Sequence, residues 1–272
     1  MKNLKIVLIT TLLAAGMAHA GEASRVRYQD PSGRMSLTVS HEMYVAGMAE
    51  PIATRDFSFD LTQALDRATA AITVTIDRAK GSYSAHGQKQ RLGTRHLTGR
   101  SFLLSIRKDG RQLEQDKTSE APVIDVGPPV EDGFSIAGLL ADTLPILPEG
   151  ALAIGTTWTT ERPVRSLEGW AWGNGRMTSR HRVTAVDRRD GHTVITVVTE
   201  AKASLGPLSS ERAFSGDLKR TLHWTFDADD GRLLSLSMEQ ESSGTCPLPQ
   251  GETAIRQQTT VELTPLGSEK AS

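Results

Sequence analysis

Long stretches of this chain alternate apolar and polar residues one by one, and acidic-glycine pairs sit between several of them. In residues 34–45, Met35, Leu37, Val39, Met43 and Val45 fall on one side, with Ser36, Thr38, Ser40, Glu42 and Tyr44 on the other. The same period of two recurs in Ile72, Val74 and Ile76, in Phe102, Leu104 and Ile106, and across residues 193–199, 218–226 and 254–263. A period of two places one face against a core and the other in water, which is the signature of a strand. Asp109-Gly110, Asp190-Gly191 and Asp230-Gly231 separate such runs, and glycine supplies the positive φ that tight hairpins require. Roughly ten short strands joined by turns favour a mainly β chain: one large, twisted antiparallel sheet, open or curled into a half barrel.

Two stretches break the alternation. After Phe57 and Phe59, Asp60 and Gln63 are spaced as a capping pair, and Leu61, Ala64, Leu65 and Ala68 recur at three- and four-residue intervals. That spacing predicts a helix of two to three turns. It must end before the β-branched residues of 72–76, which favour a strand. Residues 133–144, GFSIAGLLADTL, read as a second short helix, stopped by Pro145, which has no donor and disfavours helix before it. Its Phe, Ile and Leu content predicts packing on the sheet, and it lacks the basic face of membrane-surface helices.

The segment that follows, residues 144–158, is LPILPEGALAIGTTW. Pro145 and Pro148 stiffen it, Gly150 and Gly155 turn it, and Thr156, Thr157 and Trp158 start a new strand. Pro-x-x-Pro and then Gly-x-x-Trp after an apolar helix, together with Leu97, Gly99, Phe102 and the Asp109-Gly110 turn, resemble a family of uncharacterised bacterial exported β-rich proteins. Here Thr156 stands where that family usually has Asp, and Gly150-Ala151-Leu152 lengthens the approach. The resemblance implies a β-rich fold and an exported location, and it brings no catalytic residue with it. The segment reads as a crossover between two half-sheets, with Trp158 buried and Gly155→Val more damaging than any single His→Ala change.

The N-terminus carries Lys2 and Lys5, an apolar run over residues 6–17 and Ala18-His19-Ala20, the pattern of a cleavable signal peptide. The run is too short to span a bilayer. Removing residues 1–20 leaves 29 basic and 32 acidic residues, a net charge of −3, which gives no electrostatic reason to expect nucleic acid as a partner. The remaining 21–267 read as one β-rich domain of two pseudo-repeat halves, about 34–117 and 156–263, joined by 133–158 and followed by a disordered tail at 268–272.

Candidate functional residues are few. Trp170 and Trp172 lie among turn residues, where an aromatic pair can stack on a sugar or clamp a peptide; folding back onto the sheet end is the competing reading. His41 falls on the apolar side of its strand, which fits a packed, hydrogen-bonded histidine better than a base. His86 and His96 share no face by simple periodicity, so they give no metal pair. Cys246, the only cysteine, reads as a loop thiol without a metal-ligand neighbour. Glu131-Asp132 and Asp229-Asp230 are adjacent carboxylates, which point to opposite faces of a strand and suit turns better than catalysis. There is no phosphate loop, nucleophile elbow or His-Glu-x-x-His, so no residue is assigned to catalysis, a metal or a cofactor. By analogy with the half-barrel of the periplasmic lipoprotein carriers, the concave face would bind an apolar ligand or a lipidated partner. That use requires an enclosed pocket of several hundred Å3 lined by Leu, Ile, Val and Met. The alternatives are an interaction or scaffold module with a filled core, using Trp170 and Trp172, and a hydrolase without an identifiable base and nucleophile.

Overall fold

In the computed structural model of the chain the described residues are 26–29, 32–66, 71–85, 87–105, 123–124, 134–164, 173–207, 214–248 and 251–266. The signal peptide, the Asp109-Gly110 turn, His86, Glu131-Asp132, Trp170, Trp172 and the tail at 268–272 lie outside them.

Among the described residues the strands are β1 (Gly33–Val45), β2 (Ala53–Asp66), β3 (Ala71–Ala85), β4 (Gln88–Arg91), β5 (Ser101–Ser105), β6 (Val123–Ile124), β7 (Phe134–Ser135), β8 (Thr157–Val164), β9 (Gly173–Arg189), β10 (His192–Pro207), β11 (Ser215–Asp227), β12 (Arg232–Leu248) and β13 (Gly251–Pro265), with one α-helix, α1 (Ile136–Thr143), and a 3-10 turn at Arg95–Leu97. Eleven of them form one antiparallel sheet in the order β4-β3-β2-β1-β13-β12-β11-β10-β9-β8, with β5 also pairing β3. The N-terminal and C-terminal strands meet at the β1–β13 ladder, where Leu37 pairs Leu263 and Val39 pairs Val261. Among the described residues β8 pairs only β9, and β4 and β5 pair only β3, so the sheet has two free edges and is not closed.

Turn chemistry sets the hairpins as the sequence indicates. Asp190 and Gly191 both adopt positive φ, 51° and 87°, in a two-residue turn between β9 and β10, the geometry that matches strand twist. Gly231, at φ 67°, closes the β11–β12 hairpin, and Asp227 Oδ1 there accepts from the backbone N–H groups of Asp229 and Asp230.

The expected helix after Phe59 is instead the second half of β2. Leu61 pairs Met35 of β1 on one side and Ile76 of β3 on the other. Ladders on both edges of the strand through Gln63 engage its backbone groups, and this tertiary pairing overrides the weak local helix signal. Ala64, counted in the helical stripe, is exposed. A bulge between Asp60 and Leu61 shifts the register against β3 and bends the strand there. Cys246 is likewise not in a loop: it pairs Thr253 within the β12–β13 ladder and is buried.

One face of the sheet is wet and the other is buried in two apolar groups. The larger contains Leu37, Phe59, Val74, Phe102, Ile195, Trp224, Phe226 and Met238 together with Ile136, Leu139 and Leu140 of α1. The smaller contains Met43, Ala53, Val164, Met177, Leu205, Phe214 and Leu218, with Tyr83 packed against it. Ala53 and Tyr83 come from one end of the strand order, Val164 and Met177 from the other, so the sheet curls far enough to bring both ends into one cluster. The chain leaves β5 at one edge, lays α1 across the concave face and enters β8 at the opposite edge.

Candidate functional site

The site is the concave face beneath α1. Ser135 caps the helix, accepting from the Gly138 N–H at 3.2 Å. Pro145 follows its end, and two aromatic side chains hold the exit segment: Tyr28 donates to the Pro145 carbonyl at 3.0 Å and the Trp158 indole donates to the Ile146 carbonyl at 2.9 Å. Trp158 is half-buried, less than the sequence suggests, because β8 is an edge strand. Its ring stacks on His181 at 4.7 Å and meets Trp224 edge-on at 6.3 Å. Gly155, which lets the chain turn into β8, has φ +86°.

A polar belt crosses the face between the two apolar groups. It includes His41, Arg55, Gln257, Thr259, Gln240, Ser242, Arg220, Thr199 and His181, all buried. Its centre is Asp142, on the last turn of α1. Arg220 of β11 donates through Nη2 to Asp142 Oδ2 at 2.7 Å and through Nη1 to the Asp142 backbone carbonyl at 3.2 Å. The same guanidinium donates to Gln240 Oε1 from Nε at 2.9 Å and Nη2 at 2.6 Å. From β8, Arg162 Nε lies 3.7 Å from Asp142 Oδ1. Burial pushes the Arg162 pKa down, Asp142 opposes that shift and Arg220 adds to it. Asp142 thus bridges β8 and β11, which β9 and β10 separate in the sheet, and it ties the helix to both.

The two buried histidines face hydroxyls. His181 contacts Thr199 Oγ1 through Nδ1 at 2.8 Å and Thr160 Oγ1 through Nε2 at 2.9 Å. With both ring nitrogens on threonines, no carboxylate orients it as a general base. Burial, with a smaller contribution from Arg162, lowers its pKa to about 4. His41 is the packed, bonded histidine that the alternation implies: Nδ1 lies 3.0 Å from Thr259 Oγ1, and burial followed by the Arg55 charge lowers its pKa to about 3. Burial raises the Cys246 pKa, so the thiol is not activated.

The inner face holds less free space than an apolar ligand needs. Beneath α1 the cavity lined by Tyr28, Met35, Ile72, Leu104, Leu140 and Leu263 has a volume of about 20 Å3, against the several hundred Å3 that the sequence reading requires. Two larger depressions are open: one of about 500 Å3 bordered by Ser40, Glu42, Glu239 and Glu241 together with Arg220, Gln240 and Thr259, another of about 660 Å3 bordered by Arg176, Lys202 and Asp217 together with Ala203 and Leu218.

Among the described residues, His192, Asp227 and Asp229 bring three metal-type donors within 4.8 Å of one another at the hairpin ends. The two aspartates are already engaged. Asp227 Oδ1 accepts from its own turn, Asp229 Oδ2 accepts from the Thr193 N–H at 2.7 Å, and Arg232 Nε lies 3.7 Å from Asp227 Oδ2. The arginine supplies the positive charge that a cation would bring.

Trp170 and Trp172, the residues that sequence reasoning placed at a binding loop, fall outside the described residues. The Asp142–Arg220–Arg162–Gln240 cluster was not found from sequence. One signal was available: Arg220, between Leu218 and Leu222, occupies the inward phase of its strand, where a charge requires a partner.

No family model matches the chain, and no curated protein matches it. Among solved structures, the chain is similar to lipovitellin, in a structure concerned with its lipid–protein interactions, at 12% identity and a TM-score of 0.46, over 89% of this chain and 26% of that one. It is also similar to a LolA-superfamily protein from Nitrosomonas europaea, at 8% identity and a TM-score of 0.16, over 90% and 91% of the two chains. The chain therefore spans about a quarter of the lipovitellin chain it matches. Among the described residues no helix is long and apolar enough to cross a membrane.

Proposed function

We propose that this chain is an exported, non-enzymatic carrier that binds an apolar ligand or a lipidated partner in the concave face of its sheet, with α1 occupying that place when the ligand is absent. One observation carries the reading: an open sheet of strands up to 17 residues long is covered on its apolar face, among the described residues, by one eight-residue helix. Such strands run to roughly 55 Å and such a helix to roughly 12 Å. A helix this short is unstable on its own, so α1 holds its shape only while docked, and its withdrawal sacrifices little beyond its contacts. Those contacts are of two kinds that a ligand could replace: apolar side chains on the sheet and one carboxylate on two arginines. The signal-peptide pattern of residues 1–20 and the resemblance of the 144–158 segment to exported proteins support the location.

A second reading keeps the core permanently filled and makes the protein an interaction or scaffold module; the cavity of about 20 Å3 favours it. Native mass spectrometry separates the two. Protein purified under non-denaturing conditions from cells that export it should carry a hydrophobic adduct, or acquire one when incubated with lipid extract. Protein that carries none and takes up none supports the filled core.

A further inference from the structure

The geometry points to the class of ligand: a long-chain carboxylic acid, its carboxylate seated on Arg220, Arg162 and Gln240 and its chain lying where α1 now packs. This rests on the carrier reading and specifies it. The helix presents a carboxylate at one end, Asp142, and apolar side chains along its length, Ile136, Leu139 and Leu140, all buried. That is the chemical outline of a fatty acid. Asp142 Oδ2 takes a charge-assisted hydrogen bond from Arg220 Nη2 at 2.7 Å, and Oδ1 faces Arg162 Nε at 3.7 Å. Two guanidiniums from strands that β9 and β10 separate therefore converge on one carboxylate, and a planar, forked donor suits a carboxylate.

Buried arginines are expensive unless paired. A sheet whose only task was to hold a helix could do so with leucine at these positions. Arginine at two inward positions makes sense where the anion is exchanged: α1 supplies it in the empty state and the ligand supplies it in the loaded one. A neutral hydrophobe entering the same place would leave both guanidiniums without an anion. Gln257, two strands from Arg220 in the order β11-β12-β13, adds spare capacity beside the cluster, since its buried amide oxygen and nitrogen have no hydrogen-bond partner among the described residues.

The test is displacement of the neutral fluorophore N-phenyl-1-naphthylamine from the full mature protein by palmitate, hexadecanol or hexadecyl phosphate. Palmitate should displace it at a concentration about tenfold or more below that of hexadecanol, the ratio expected for a charge-assisted hydrogen bond. Arg220→Gln should erase that ratio. Asp142→Asn, which removes the competing charge, should tighten palmitate about tenfold by the same reasoning. Arg162→Gln, at a half-buried position, should reduce the palmitate preference in protein whose thermal melting confirms folding, so the result does not depend on Arg220→Gln folding. Hexadecanol equal to palmitate, or hexadecyl phosphate well below it, overturns the carboxylate assignment while the carrier reading stands. Failure of the fluorophore and all three amphiphiles to bind overturns both.

Discussion

Replacing Arg220 by methionine removes the guanidinium that anchors α1 while keeping most of the side-chain volume. Arg220 is buried, with 1% of its side chain exposed, and it donates four hydrogen bonds: two to Gln240 Oε1, one to Asp142 Oδ2 and one to the Asp142 carbonyl. Methionine leaves all these acceptors in place, with the Asp142 carboxylate still largely out of water. Removing one member of a buried ion pair costs about 3–5 kcal/mol, and each stranded neutral acceptor adds about 1–3 kcal/mol. Arg162 already lies 3.7 Å from the other carboxylate oxygen and retains part of the charge compensation, so the lower end, about 3 kcal/mol, is expected. In a urea titration followed by tryptophan fluorescence this moves the midpoint down by about 1 M, given a slope of about 3 kcal/mol per M for a protein of this size. Adding Asp142→Leu should recover most of the loss, because an apolar pair of similar volume removes the uncompensated charge. A single variant less than about 1 kcal/mol below wild type, or a double variant whose losses simply add, would refute the claim that this pair fastens the helix to the sheet.

Other expectations follow from particular positions. Gly244 faces Gly216 across the β11–β12 ladder, and a Cβ there would lie 2.1 Å from the Ser215 carbonyl oxygen and 2.8 Å from the Phe214 ring. Gly244→Ala should therefore cost about 2–3 kcal/mol or more by overpacking, while Gly93→Ala, with open space around it, should stay within about 0.5 kcal/mol in the same titration. His181 and His41 have pKa values lowered from 6.5 to about 4 and about 3. The unfolded chain binds those protons first, so stability is fully present above pH 6.5 and falls as pH drops toward 4; by pH 5 each ring should have removed about 2 kcal/mol. His181→Gln should roughly halve the loss between pH 7.5 and 5, and an unchanged pH slope would show that the ring is not held neutral. Cys246 is buried in a strand, so a thiol reagent should modify it only as fast as the protein unfolds, and rapid stoichiometric labelling of native protein would contradict its placement.

The alternation made the sheet legible, and it did so because a residue on a strand has only two sides to choose from. The phase of Met35, Leu37 and Val39 is continued by His41 and Met43 on the buried face, and the acidic-glycine turns at 190–191 and 230–231 lie where the sequence puts them. The helix at 136–143 was legible because Pro145 fixes its end and its apolar residues lack strand phase. Residues 60–66 were not, since Leu61, Ala64 and Leu65 satisfy a three-four spacing by coincidence, and only the ladders to β1 and β3 decide the matter. The site was hidden for a different reason. Asp142, Arg162 and Arg220 are far apart in sequence and sit on separate elements, so no local spacing announces them. What the sequence did show was Arg220 in the inward phase of its strand, and only the curl of the sheet and the path of α1 across it join the three.

The central claim is that α1 and a ligand compete for one place on the concave face, and amide hydrogen exchange measured on residues 136–143 with and without saturating palmitate tests it most directly. If the helix is the displaced plug, its amides should exchange faster when palmitate is bound, while inward-facing strand residues around Leu222, Trp224 and Met238 become no less protected. Unchanged or greater protection of 136–143 in protein shown to hold palmitate would contradict it, and would mean that the helix is a fixed part of the core.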